Sequence, residues 1–459
     1  MAGGYEKRLL KSALKIATAW DTEVDVNEAL AGITPDNAGA IKLNYPPVEV
    51  DEIQNPNETD IDRANFAPSD FSLDFGKLNF DGNEMKLLAG VFGSDSVEPL
   101  FVVTTSNNKI DFTESAGALM AEVAAGSYTG TTLATAIAAA LNATATKVGT
   151  YTCTWSASTL KFTISETAGP TNFTLMWNTG TNKATDISTL CGFADAADDS
   201  GAATYTSDIA CVGSGAYQHT LTMADTLDGI FFTYATEKGS KYYAIPSFKV
   251  MKFSVTINAG MVKMGFGCRG SKMVNDSAII TTLAAVTYPA IHNTTRAKFG
   301  QCVFRINAQA GDALAVGDIV KPKGFTLELD RKMDSEHGSG SYTIMEPRGN
   351  GKPTVKHSLE IAHLDAVNEL YHAAWIAGDE KKGDLTVTGP VIVGTHTYKM
   401  LFQLPRLQFE DVEIPDAQIL PCKTVFRSVV ADTAPTGMTG LTKPLTCIVV
   451  NTRATSLLV

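Results

Sequence analysis

Two stretches of the chain alternate apolar and polar residues and then switch to a helical spacing. In residues 70 to 93, Leu73 and Phe75 share one face of a strand; in residues 357 to 378, Leu359 and Ile361 do the same. Downstream of the second strand, Leu370, Ala373, Ala374 and Ala377 fall at i, i+3, i+4 and i+7 and predict a helix with that stripe buried. Asp365 is placed to cap its start, and Gly378 to supply the left-handed turn that ends it. In the first stretch Asp81 and Glu84 have the spacing of a capping box, and Gly93 follows the helix. The stretches align: Ser72-Leu73-Asp74-Phe75 with Ser358-Leu359-Glu360-Ile361, Asn83-Glu84-Met85 with Asn368-Glu369-Leu370, and Gly93 with Gly378. One strand–helix unit is present twice.

The repeat continues in residues 243 to 257 and 402 to 414, where Pro246 matches Pro405, Phe248 matches Leu407 and Val250 matches Phe409. Each is an alternating strand entered through a proline, which removes no ladder hydrogen bond at an edge. Gly93 and Pro246 are 153 residues apart, Gly378 and Pro405 only 27, so the first copy carries an insertion of domain size. The insertion is rich in Thr, Ala, Ser and Gly. It predicts a helix over 131 to 142, strands in YTCTW, LKFTI and NFTLMW, and a closing segment over 179 to 193: an α+β module of three or four strands and one helix. Hairpin-like regions at 41 to 55 and 323 to 347 precede the two units, the second with a Gly-Ser tip.

The expected fold is mainly β, with two tandem β-sandwich or barrel domains related by internal duplication, each with a flanking helix. The expected boundaries are an N-terminal arm (1–35), a split first domain (36–98 and 217–300), the inserted α+β domain (99–216), a second domain (301–430) and a C-terminal arm (431–459).

Composition supports burial: 459 residues, 44% hydrophobic and 19% charged. The net charge of −12, spread along the chain, argues against free nucleic acid as a ligand. The N-terminus sets Leu9, Leu10, Leu14 and Ile16 among Lys7, Arg8, Lys11 and Lys15, an amphipathic arm rather than a signal peptide. No apolar run approaches the roughly 20 residues of a membrane span. Seven cysteines without a C-x-x-C pair predict buried thiols in a reducing compartment.

Three of the seven histidines fall between 357 and 378. His357 and His363 are about 20 Å apart along a strand at roughly 3.3 Å per residue, too far to share a metal. His372 lies about 160° round the helix from Leu370, toward solvent or a neighbouring subunit. Gly265, Gly267 and Gly270 form G-x-G-x-x-G, but neither a helix start nor a later acid accompanies it, so a β-segment permitting close subunit approach is expected there. No nucleophile–base pattern is present; neither an enzyme nor a cofactor is expected.

The segments YEKRLLKSALKIATAWDTEVDVNEAL, SLDF…NEMKLLAGVFG, GDIVKPKGFTLELDRKMD and LTVTGPVIVGTHTYKMLFQLPRLQFEDVEIPD resemble major tail (tail tube) proteins of long-tailed bacteriophages, over residues 5 to 98 and 217 to 430. The inserted module is similar to one recurring in phage virion proteins. The resemblance implies a virion structural protein, made in the host cytoplasm, whose rings stack into the conduit for DNA ejection. Three chains would supply six pseudo-equivalent domains, or six chains if the halves form one composite domain. Tape measure, tail terminator and baseplate proteins would be its partners; DNA would pass without specific binding, and no membrane is involved. Leu9, Leu10, Leu14 and His372 are the candidate subunit contacts. A hairpin over 325 to 346 carrying Glu328, Asp330, Asp334 and Glu336 is the candidate lumen lining, where acids would repel DNA phosphates within the roughly 8 Å screening length of physiological salt. A competing function is a phage adhesin or decoration protein that binds glycans through Trp155 and Trp177 of the insert; the simpler placement of those rings is in the insert's own core.

Overall fold

The computed structural model describes residues 11–36, 48–50, 60–62, 69–76, 78–114, 117–169, 172–238, 241–257, 260, 262–275, 277–289, 298–336, 343–361, 370–413 and 422–459. The fold is mainly β, in antiparallel sheets. The strands that matter here are β1 (Ser12–Ala17), β2 (Ser69–Phe75), β3 (Ser96–Val103), β4 (Ala216–Thr222), β5 (Phe231–Lys238), β6 (Lys241–Ile257) and β7 (Val262–Gly270), then β8 (Cys302–Ala308), β9 (Gly324–Asp330), β10 (Thr354–Ile361), β11 (Lys381–Val393), β12 (His396–Glu413), β13 (Cys422–Ser428) and β14 (Thr446–Asn451). Helix α1 is Glu84–Phe92, α2 is Gly130–Ala143 and α3 is Leu370–Ala377.

In the first half the strands pair in the order β1–β5–β6–β7–β2. In the second half they pair as β8–β11–β12–β13–β10. Strand β9 joins the two, lying against β10 on one side and β6 on the other. Among the described residues no pairing closes these ladders into a barrel.

The long strands β6 and β12 each serve two sheets. The first part of β6 pairs with β5 and its second part lies between β7 and β9. The first part of β12 lies between β11 and β14, and its second part pairs with β13. Two bulges in each strand make the turn. One extra residue falls between Ile245 and Phe248 and another between Val250 and Lys252; in β12 they fall between Leu404 and Leu407 and between Phe409 and Asp411. Pro246 and Pro405 sit inside the first bulge of their strands, several residues past the start rather than at the entry, where the disrupted ladder tolerates a missing N–H.

One hydrophobic cluster runs through both halves, with Phe253 and Phe402 rings 5.8 Å apart, instead of a separate core for each. A second cluster is drawn wholly from Phe101 to Cys211 within the insertion. Helix α2 begins at Gly130, where the Thr129 hydroxyl accepts the Thr132 N–H. The three strand runs read from the sequence form Thr150–Ser156, Lys161–Ala168 and Phe173–Leu175. The insertion holds more strands than expected, including the hairpin Lys109–Glu114 with Gly117–Glu122. It leaves and rejoins the main fold through neighbours: the first part of β3 pairs with β4, and its second part continues into a pairing with Gly126–Thr129.

Both expected arms contain sheet strands. Residues 12 to 17 are β1, with Leu14 opposite Tyr234, because alternation of Leu14 and Ile16 along a strand buries what helical spacing would only line up. Strand β14 lies between β12 and β4, with five of its six residues buried. The capping box at α1 is replaced by tertiary bonds. Asp81 accepts from the Tyr398 hydroxyl (2.9 Å) and the Thr452 N–H (2.9 Å), while Glu84 accepts the Asn79 N–H (2.8 Å). Gly93, at φ 87°, ends α1, and Gly378, at φ 72°, follows α3. The start of the second helix, with Asp365, lies outside the described residues.

Candidate assembly interface

Seven strands form one continuous antiparallel surface in the order β2–β7–β6–β9–β10–β13–β12. Its inner face supplies the core with Leu73, Phe266, Phe253, Leu327, Leu359 and Phe426. Its other face is polar and open. One row across it reads Asp74, Gly265, Ser254, Glu328, Lys356, Arg427 and Gln408, each the register partner of the next. Gly265 and Gly267 lie within strand β7, so the glycine motif is no phosphate turn. A Cβ at Gly265 would come 2.9 Å from the Ser254 Oγ, and one at Gly267 would come 3.1 Å from Lys252. The close approach these glycines permit is to a neighbouring strand of the same chain.

The expected 325–346 hairpin is built otherwise. Strand β9 pairs along its length with β10, the alternating strand that follows, while Met333–Asp334 pairs with Arg348–Gly349 in a small ladder beyond it. Glu328 is exposed on the open face opposite Lys356, whose ammonium lies 2.6 Å from Glu410. Asp330 lies 2.8 Å from Lys332 and 3.5 Å from Lys252, and these ammonium groups hold its carboxyl below its usual pKa against the opposing effect of burial. Asp334 is 3.7 Å from Arg269, which also grips Asp70, and Glu336 is exposed in the connection. The four acids therefore do not form one acidic lining: two lie on a face where acids alternate with lysine and arginine, and two in the lobe beyond it.

The histidine-rich stretch divides. His357 is 1% exposed, its ring stacked on Phe426 (4.7 Å between centroids, 15° between planes) with Phe325 5.9 Å away. Neither ring nitrogen has a hydrogen-bond partner, and burial pushes its pKa down to about 3. His363 lies outside the described residues. His372 is exposed on α3, 5.9 Å from the Trp375 ring. The buried face of α3 is not the expected stripe: Tyr371 and Ala374 are buried, whereas Ala373 and Ala377 are exposed. The Tyr371 ring, 6.1 Å from Phe409, offers the sheet more apolar area than an alanine and sets the helix's rotation. Outward it leaves Trp375 (36% exposed) and Ile376 (73%).

Of the other candidate contacts, Leu14 is 2% exposed inside its own chain's core, closed to a second subunit, and Leu9 and Leu10 lie outside the described residues. The two tryptophans of the glycan-stacking reading differ in burial, Trp155 being half-buried. Trp177 is fully buried and stacks on Phe193, and Trp155 is wedged between Phe101, Phe162 and the backbone of Gly130, where a Cβ would touch its ring at 2.3 Å. Five of the seven cysteines are buried and the other two half-buried, all as free thiols.

Among the described residues no further strand is paired at either end of the seven-stranded surface, although at one end the Asp74 carbonyl accepts the N–H of Asp36 (2.7 Å). Strand β2 pairs only with β7, and residues 408 to 413 of β12 pair only with β13, among the described residues. Comparison with protein-family models and with curated proteins returned no match.

Proposed function

We propose that this chain is a structural protein that assembles head to tail into rings, and that the rings stack as the tail tube its sequence resembles. The observation that carries the proposal is the seam between β6 and β9. There the second half adds a strand to the edge of the first, from Phe253 opposite Leu329 to Ile257 opposite Phe325. The common strand order, and the two bulges at matching positions around Pro246 and Pro405, support an internal duplication. In that duplication β6 corresponds to β12, and the edge that β9 occupies on β6 is the edge left open on β12.

Strand parity supports an incoming strand. With seven alternating strands, β2 and β12 run in the same direction, so an antiparallel continuation from one copy to the next takes one strand more. The second half contributes β9, β10, β13 and part of β12, whereas the first contributes only β2, β7 and part of β6. The repeat aligns β9 with residues 38 to 44, where Ile41 and Leu43 match Leu327 and Leu329. We assign the joining strand to the next copy. Such a contact is heterologous and closes into a ring when the rotation permits; three chains then give six pseudo-equivalent units. An unpaired edge strand is otherwise a site of uncontrolled pairing, and a ring removes it.

The open face suits a conduit. It is polar, with acids and bases interspersed, and no long basic stripe of the kind that would hold a polyanion runs along it among the described residues. Among the described residues no helix is long and apolar enough to cross a membrane. Negative-stain microscopy of the purified protein should show rings or tubes with a central hole. A wild-type chain that stays monomeric at high concentration would overturn the proposal.

A further inference from the structure

Asn350 is the one asparagine of the chain that is followed by glycine, and glycine also precedes it. It stands in the turn that leads from Arg348–Gly349 toward β10, with Gly349, Asn350 and Gly351 all exposed. Beyond its chain neighbours nothing lies within 4 Å of where a Gly349 Cβ would be, and at Gly351 the Lys332 Cβ comes no nearer than 3.7 Å. Gly351 has φ 139°, a backbone that side chains rarely adopt. Among the described residues the Asn350 side chain is held by one long bond, from its amide nitrogen to the Asp334 carboxylate at 3.2 Å. Other asparagines are fixed more firmly. Asn83, Asn108 and Asn451 are buried, and the Asn142 amide is locked against both the N–H (2.9 Å) and the carbonyl (2.6 Å) of Tyr151.

We propose that Asn350 is a site of covalent modification, at which the side-chain amide is lost through a succinimide closed by the Gly351 nitrogen. That nitrogen attacks the Asn350 side-chain carbonyl. The N–Cγ bond forms, the Cγ–Nδ2 bond breaks, and the proton from the Gly351 amide leaves with Nδ2 as ammonia. Water then opens the five-membered ring at one of its two carbonyls, giving aspartate or isoaspartate. A Cβ on the attacking residue crowds this approach, and every other asparagine is followed by a residue that carries one. The Asp334 carboxylate lies at the departing nitrogen, where it stabilises the positive charge gathered as the proton arrives.

The product changes its surroundings. Asn350 donates its backbone N–H to the Lys332 carbonyl (2.6 Å), next to the small ladder of Met333–Asp334 with Arg348–Gly349. Isoaspartate lengthens the backbone there by one carbon, and either product sets a second carboxylate against Asp334, where like charges repel. Conversion also adds a charge to the lining of a cavity of about 450 Å³ that Asn350 shares with Asp334, Glu336 and Glu346. This chemistry is independent of whether the chain forms rings.

The test uses the full chain, aged in warm, mildly alkaline buffer made with heavy-oxygen water and then digested with trypsin. The peptide 349–356 should take up one oxygen from the solvent and separate into aspartate and isoaspartate forms, before any other asparagine peptide changes. Asn350→Gln leaves the backbone untouched and should stay amidated over the same time, because its ring would need six members. Gly351→Ala should slow conversion at least about tenfold. Brief trypsin treatment of the folded protein should cut after Lys332 or Arg348 sooner in the aged chain than in the fresh one. An aged chain whose 349–356 peptide keeps its amide, or that yields aspartate without isoaspartate, would overturn the site. Equal cutting of aged and fresh chains would overturn the loosening of the ladder.

Discussion

The strand and helix at 69–93 and the strand (Thr354–Ile361) and helix (Leu370–Ala377) that match them share a pattern and live differently. On their strands, Phe71, Leu73 and Phe75 face inward in one, and His357, Leu359 and Ile361 in the other. Phe71 meets Phe248 edge-on at 5.1 Å, while His357 lies nearly flat on Phe426. Their helices diverge further. Helix α1 carries Met85, Leu87, Leu88, Val91 and Phe92 and is apolar apart from Glu84 and Lys86, as befits a helix with eight of its nine residues buried. Helix α3, with histidine and alanines among its aromatics, is enclosed on one side only. A repeated pattern thus carries the local fold, while the neighbour that each copy meets decides which positions tolerate polarity.

The sharpest break in the comparison comes from the same charge placed on both helices. Leu88→Asp buries an unpaired carboxylate and should cost more than about 4 kcal/mol, removing the cooperative melt. Ala373→Asp, at the aligned and exposed position, should shift stability by less than about 0.5 kcal/mol. Equal losses in denaturant titrations would mean that α3 is as enclosed as α1.

His357→Phe makes the second strand resemble the first, and should stabilise by about 1–3 kcal/mol because it replaces a buried polar ring without partners. The gain should depend on pH. The folded-state pKa near 3 lies below the ordinary 6.5, so the unfolded chain binds the extra proton between those values. The wild type therefore loses stability as pH falls below 6.5, and the variant's advantage should be larger at pH 5 than at pH 8 in calorimetry. An advantage independent of pH would show that the imidazole is not protected from protonation.

A smaller gain than the histidine's is expected at the head of α1. Burial raises Glu84 to about 7, so the native state holds the extra proton between pH 4.5 and 7 and loses stability as pH rises through that window. Glu84→Gln keeps an acceptor for the Asn79 N–H. It should gain about 1–2 kcal/mol at pH 8 and nothing at pH 4; a loss at pH 8 would assign the charge a stabilising role with Arg453.

What the sequence made legible was what repeats locally. Alternation located β2 and β10, Gly93 and Gly378 marked the helix ends, and the paired prolines led to strands whose bulges coincide. The apolar runs of the insertion gave three of its strands and its helix. What it hid was set across long distances. Asp81 and Glu84 have capping-box spacing, but Asp81 is bound by Tyr398 and Thr452, more than 300 positions later. Leu14 and Ile16 fit a helix or a strand until β5 is there to pair with. Strand β9 alternates clearly, yet nothing in its residues tells that its partners are β10 and β6 rather than its own loop. Trp177 and Trp155 were weighed as an exposed platform and as core; partners scattered from Phe101 to Phe193 bury Trp177 fully and Trp155 by half.

The insertion hangs from two strands that lie side by side: Leu100 at its exit and Ala216 at its return are register partners. The main fold therefore meets the insertion at a doorway one strand pair wide, braced from the side by the β11–β12 turn, where Thr395 donates its N–H to the Ser127 hydroxyl (3.0 Å) and His396 lies 3.1 Å from the Phe101 carbonyl. Whatever occupies the far side can grow, shrink or be exchanged as a cassette while the ladder behind the doorway keeps its register, and a lineage that varies its outer decoration need not redesign the body that carries it.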